Sequence, residues 1–251
     1  DYKKNLDDLN DLLNKYKKNI FKKFILVSTV TPILFKKNFI LSGLNLSFLG
    51  HYVSQEIDIY KNMYHWPDGL FKHLFYKKEY KKIPGRDLIA NLKIPEYINS
   101  IHVLGSLSYK GKKYLSQKFK KEIKHTDLPF GKIEEIKKHV PIIDKNTLCL
   151  LTLPTPKQEQ IAKHISIKQH FYKIMCIGGA INMLTGEEYP CPKFLENYGL
   201  ETFWRLRTDT RRRTIRLIKT LSIKSLLSLV LYKILCLGLS TQSEQKTVLL
   251  S

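Results

Sequence analysis

The chain predicts an α/β fold, a mainly parallel sheet flanked by crossover helices, with a basic helical appendage at its C-terminus. Three observations carry this expectation. Short apolar runs alternate with stretches of helical period, the segments between the runs are long enough to hold crossover helices, and from about Asn197 the composition turns strongly basic and then apolar.

Residues 1–37 form a leading segment that opens on DYKKNLDDLNDLLNKYKKN, which has no apolar signal-peptide core and reads as a charged amphipathic helix. Strands are expected at NFILSGL (38–44), INSIHVLG (98–105), NTLCLLTL (146–153) and FYKIMCIGG (171–179), and helices at 45–64, 85–93, 109–121, 131–139 and 156–164. The last helix has the best-specified start. Thr155 followed three residues later by Gln158 forms a capping box, with Pro156 at the first helical position. HWPDGLFKHLF (65–75) reads as a turn through Pro67-Asp68-Gly69 just beyond an amphipathic helix. The core is expected at 1–196 and the appendage at 197–251. In the appendage Arg212, Arg216 and Lys219 share one helical face and Leu217, Ile218 and Leu221 lie roughly opposite, a pattern open to both a solvated basic face and a membrane-surface role. Lys224 and Lys233 interrupt the most apolar stretch, 221–240, so it reads as an interfacial or buried helix, not a membrane span.

In 251 residues, 43% hydrophobic content is enough for a real core, and 43 Lys and Arg against 22 acids give a net charge of +21. Such a charge points to a polyanionic partner: nucleic acid, an anionic membrane surface or phosphorylated substrates. Cys149, Cys176, Cys191 and Cys236 are scattered without a C-x-x-C pair or histidines at ligand spacing, which argues against a disulfide scaffold or a structural metal site and fits a reducing compartment. No serine-nucleophile elbow and no Cys/His order suggests a nucleophile, and no Asp-x-Asp pair offers a carboxylate clamp for a divalent cation. Charge on a departing diphosphate would fall to Lys, Arg and helix N-termini.

Ligands of parallel sheets sit at the carboxyl ends of the strands, beside helix N-termini. Gly105 and Ser106, the segment Pro154 to Gln158, and Gly178 and Gly179 each follow a predicted strand, and together they point to a diphosphate-bearing ligand. Asp68, flanked by aromatic residues, is a candidate general base.

WPDG, IPGRDLI, IHVLGS, PTPKQEQIAKH and the long segment from CIGGAINMLTGEEYPCPKFLENYGLETFWRLRTDTRRRTIR occur in an order that resembles the WecG/TagA/CpsF family of bacterial glycosyltransferases, from about Asn38 to Arg216. The resemblance implies a Rossmann-like core and an inverting transferase without a required metal or other cofactor. Such an enzyme moves a sugar from a UDP-sugar to a polyprenyl-diphosphate-linked saccharide at the cytoplasmic membrane face, and serves capsule, exopolysaccharide, teichoic acid or common antigen synthesis. It also implies roles. Asp68 would deprotonate the acceptor. Asn45, Gly69, Arg86, Gly105, Ser106, Thr155, Lys157, Gln158, Glu159, Gly178 and Gly179 would form the nucleotide-sugar pocket. Arg205, Arg211, Arg212 and Arg216 would face phosphates and the anionic membrane surface. The sequence leaves the oligomeric state open, a homo-oligomer included. The chain departs from the family pattern at Gly43 (usually Thr), Phe71 (usually Gly), Ile181-Asn182 (usually Phe-Asp) and Pro190-Cys191-Pro192 (usually Arg-Ala-Pro). The rival expectation is a non-catalytic basic α/β protein that binds nucleic acid or another polyanion. The absence of an RNA-binding aromatic motif or zinc-finger spacing makes it the weaker of the two.

Overall fold

The computed structural model describes residues 24–27, 29–68 and 83–188. The expected N-terminal helix, the C-terminal appendage and the 221–240 segment lie outside the described residues. Seven strands form one sheet: β1 (Ile25–Leu26), β2 (Phe39–Leu44), β3 (Met63–Pro67), β4 (Ser100–Leu104), β5 (Glu122–Thr126), β6 (Thr147–Leu151) and β7 (Lys173–Cys176). Their order is β1-β3-β2-β7-β6-β4-β5, and every pairing is parallel. The helices are α1 (Leu46–Val53), α2 (Gly85–Asn91), α3 (Tyr109–Phe119), α4 (Ile133–Lys138), α5 (Lys157–Lys168) and α6 (Ala180–Leu184). This is the expected α/β, Rossmann-like arrangement.

The four central strands the sequence pointed to are buried along their whole length, as strands covered on both faces must be. Alternation along β2 sorts the core into two layers. Ile40 and Leu44 pack with Phe48 of α1, Ile136 of α4 and Ile161, Ala162 and Ile165 of α5. Phe39 and Leu41 pack with Leu88 and Ile89 of α2, Leu115 of α3 and Ala180 and Ile181 of α6. Neighbouring strands β2 and β7 therefore send their following helices to opposite faces, which opens a crevice at their carboxyl ends.

The expected helix over 45–64 is shorter than its periodicity implied. It stops at Val53, Gln55 and Asn62 take left-handed φ values of 60° and 68°, and the chain re-enters the sheet as β3, which pairs with both β2 and β1. Asp68 thus follows a strand, not a helix. β5 was missed because its sequence, EIKHT, is that of a polar edge strand. The short α6 was also missed. It packs between α2 and α3 closely enough that a Cβ added at Gly111 would stand 2.9 Å from Ile181 Cγ2.

Candidate functional site

The carboxyl ends of β2, β3, β6 and β7 surround a cavity of about 170 Å³. Gly43 of β2 and Asn45 just after it line it, with Trp66 of β3 and Asp68 just after it, Gly85 and Arg86 from the start of α2, Thr155 from the β6–α5 connection, Gln158 from the first turn of α5, and Gly178 and Gly179 from the turn after β7.

Asp68 is held there by its neighbours on the adjoining strand. Its N–H donates to the Leu44 carbonyl at 3.2 Å, and Asn45 Nδ2 donates to Asp68 Oδ2 at 3.0 Å. Asn45 is the N-cap of α1, its Oδ1 accepting the Phe48 N–H at 3.0 Å. One amide thus caps a helix with its oxygen and, because that fixes its orientation, presents its NH2 to the carboxylate. Gly43 makes the approach possible. An added Cβ would lie 3.0 Å from Trp66 Cζ2 and 3.1 Å from Asp68 Oδ2, so any larger residue would press on both.

The opposite wall centres on Gln158. Its Oε1 accepts the Gly178 N–H at 3.1 Å, and its Nε2 donates to Thr155 Oγ1 at 3.0 Å and to Glu159 Oε1 at 2.9 Å. The expected capping box is therefore not formed. Thr155 contributes no cap, Pro156 occupies the N-cap position without a side-chain bond, and the Gln158 carbonyl is committed to Gly178 and does not reach back to Thr155. The Gly178 N–H, expected to face a diphosphate, is taken by Gln158 Oε1 and by the Leu151 carbonyl at 3.2 Å.

Other expected residues stand elsewhere. Glu159 is 2% exposed, behind the cavity wall rather than on it. Lys157 turns away and donates to the Gly131 carbonyl. Gly105 is covered by Thr152 and accepts a hydrogen bond from His125 Nε2 at 2.7 Å. Ser106 lines a second cavity of about 410 Å³ with Leu107, Ser108, Asp127, Asn182 and Glu187. In that cavity the Ser108 and Thr185 hydroxyls donate to Glu187 at 2.6 and 2.8 Å and hold its carboxyl below the usual carboxylate range. The next helix starts at the Ser108 N-cap, not at Ser106. Gly69, Phe71, Cys191, Arg205, Arg211, Arg212 and Arg216 lie outside the described residues.

Sequence reasoning did not single out Trp66 or Ser42. Trp66 was hidden in a segment read as a turn. Ser42 and Gly43 carried a usable signal, because they are the two positions that break the apolar run of FILSGL inside a fully buried strand. His65, one residue before Trp66, is a core residue: it is fully buried, edge-on to the Phe24 and Phe48 rings at 5.2 and 4.9 Å, and burial lowers its pKa to about 3. Among the described residues no group of three or more His, Cys, Asp or Glu is placed to hold a metal ion, and no helix is long and apolar enough to cross a membrane.

Comparison with known families matches residues 70–235, well over half of the chain, to the Glycosyl transferase WecG/TagA/CpsF family. The match takes in Arg86, Gln158 and Gly178 and begins just after Asp68, so the Asn45–Asp68 pair is known from the fold, independently of the match. No curated protein matches the chain.

Proposed function

The chain belongs to the WecG/TagA/CpsF family, glycosyltransferases of cell-surface polysaccharide synthesis, and on that premise we propose that it is an inverting transferase acting on a UDP-sugar and a polyprenyl-diphosphate-linked acceptor. The observation that carries the reading is the Asp68 carboxylate, oriented by Asn45 at a cavity whose other walls include Arg86 and Gln158. A carboxylate in that setting has the geometry of a general base.

In this mechanism Asp68 takes the proton of the acceptor hydroxyl as its oxygen attacks the anomeric carbon from the face opposite the diphosphate. The new glycosidic C–O bond forms while the bond to the phosphate oxygen breaks, and UDP leaves with the electron pair. Arg86 at the cavity wall and the arginines of the 205–216 segment balance the charge that collects on the diphosphate, as cations do for a departing anion. The net charge of +21 supports two further parts of the proposal, an anionic lipid-linked acceptor and peripheral attachment of the 211–240 segment to the cytoplasmic face of the membrane.

The test is transfer from UDP-glucose, UDP-galactose, UDP-N-acetylglucosamine and UDP-N-acetylmannosamine to a polyprenyl-diphosphate-linked sugar. Asp68→Asn is expected to lower kcat by about 10²–10⁴ while leaving the thermal stabilisation by donor unchanged. A wild-type chain inert toward every donor, or an Asp68→Asn variant as active as the wild type, overturns the proposal.

A further inference from the structure

Glu159 stands in the first turn of α5 but directs its carboxyl into the protein. Oε1 accepts from Ser42 Oγ at 2.8 Å, from Gln158 Nε2 at 2.9 Å and from Thr155 Oγ1 at 3.3 Å, so three donors from β2, α5 and the β6–α5 connection converge on one oxygen. Oε2 is buried and has no hydrogen-bond partner among the described residues. A carboxyl is a costly filler for such a place, and an apolar side chain of similar volume avoids the desolvation. Burial, the largest influence, pushes its pKa up despite the bonds from Ser42, Gln158 and Thr155.

An apolar filler lacks an oxygen that only accepts and therefore sorts its neighbours. With Oε1 accepting, the Gln158 NH2 must face Glu159, and the Gln158 carbonyl is left to take the Gly178 N–H. Thr155 spends its proton on Glu159 and is left as the acceptor for Gln158. Ser42 ties the same oxygen to the strand position next to Gly43, over which Asp68 lies.

We infer that Glu159 is a positioning residue for the transfer reaction: without touching substrate, it fixes which way the Gln158 side-chain amide is turned at the cavity wall. The inference rests on the transferase reading above. The experiment combines steady-state transfer from whichever panel UDP-sugar the wild type turns over fastest with amide hydrogen exchange at Gly178. Glu159→Leu is expected to lower kcat/KM by about 10- to 100-fold, the cost of a small misplacement in a reacting site. The same change in a Gln158→Ala background is expected to cost less than about twofold, because the group it positions is gone. Gly178 exchanges faster in Glu159→Leu and Gln158→Ala than in the wild type.

Glu159→Gln, nearly isosteric and still offering an oxygen, is expected to keep kcat/KM within about threefold and to keep Gly178 protected. That variant decides the matter by itself if Glu159→Leu does not fold. Equal losses from Glu159→Leu in both backgrounds, unchanged Gly178 exchange in folded Glu159→Leu, or loss of activity or protection in Glu159→Gln each overturn the inference. A wild type that turns over no nucleotide sugar overturns the transferase reading instead, and Gly178 exchange still decides the orientation of Gln158.

Discussion

The two layers that cover the sheet are built on the same strands and bury different chemistry. The layer under α2, α3 and α6 is largely apolar, with Trp66 and Tyr64 as its buried polar-tipped aromatic residues. The layer under α1, α4 and α5 shares its interior with Ser42, His65, Glu159 and the thiols of Cys149 and Cys176. Burial raises the pKa of both thiols and of Glu159, and lowers that of His65. The difference separates two tasks: the apolar layer gives cohesion, and the mixed layer holds side chains at defined angles below the cavity and loses some cohesion for it.

The contrast predicts where substitutions cost most. Leu150, fully buried on β6 in the apolar layer, is expected to cost about 2–5 kcal/mol when changed to Ala, read by urea unfolding of the whole chain. A cost within a few tenths of a kcal/mol would remove the distinction between the layers.

The mixed layer is expected to show itself through pH. Below its ordinary value of 6.5 the unfolded chain protonates His65, whereas the native protein keeps it neutral down to about 3. Native stability therefore falls as pH falls through that window, by about 1.4 kcal/mol per pH unit from this one group. His65→Leu is expected to flatten that part of the curve, and a wild-type slope in the variant would refute the assignment. Glu159 acts in the other direction. The unfolded chain releases this proton near the ordinary 4.5 while the native state retains it, so stability falls as pH rises from there toward the raised native pKa. Glu159→Gln is expected to remove that decline.

The smallest effect on stability is expected at Gly43→Ala, where the contacts at 3.0 and 3.1 Å ask Trp66 and Asp68 to give by a few tenths of an ångström. Unfolding free energy is expected to change by about 1 kcal/mol, while transfer falls by more than the fold does because the displaced group is Asp68. Transfer at the wild-type rate would detach the close approach of Gly43 from the reaction.

Much of the fold was legible because central parallel strands are continuous apolar words, and FILSGL, TLCLL and KIMC could be found by composition alone. β3 was not, because MYHWP follows a stretch with helical period and holds a histidine whose neutral burial only the packed rings explain. β5 was not, because an edge strand is free to be polar. In the candidate site, Asp68 stood out by its P-D-G context and Gln158 by its place behind a strand. Glu159 was expected in the same pocket, but adjacent helical residues lie about 100° apart, so when Gln158 lines the cavity Glu159 turns inward. Which of the two does so depends on the face against which α5 packs, and a single chain of letters does not carry that. The capping-box spacing was present at Thr155 and Gln158, yet the Gly178 N–H competed for the same carbonyl and took it.

The five residues of α6 form a party wall. Met183 lines the compartment that holds Asp68, and Asn182, next to it, lines the second compartment with Asp127 and Glu187. Because Gly111 leaves no slack against Ile181, this partition is clamped from the α3 side. Widening one room by moving α6 narrows the other, so the dimensions of the two compartments are set jointly and not one at a time.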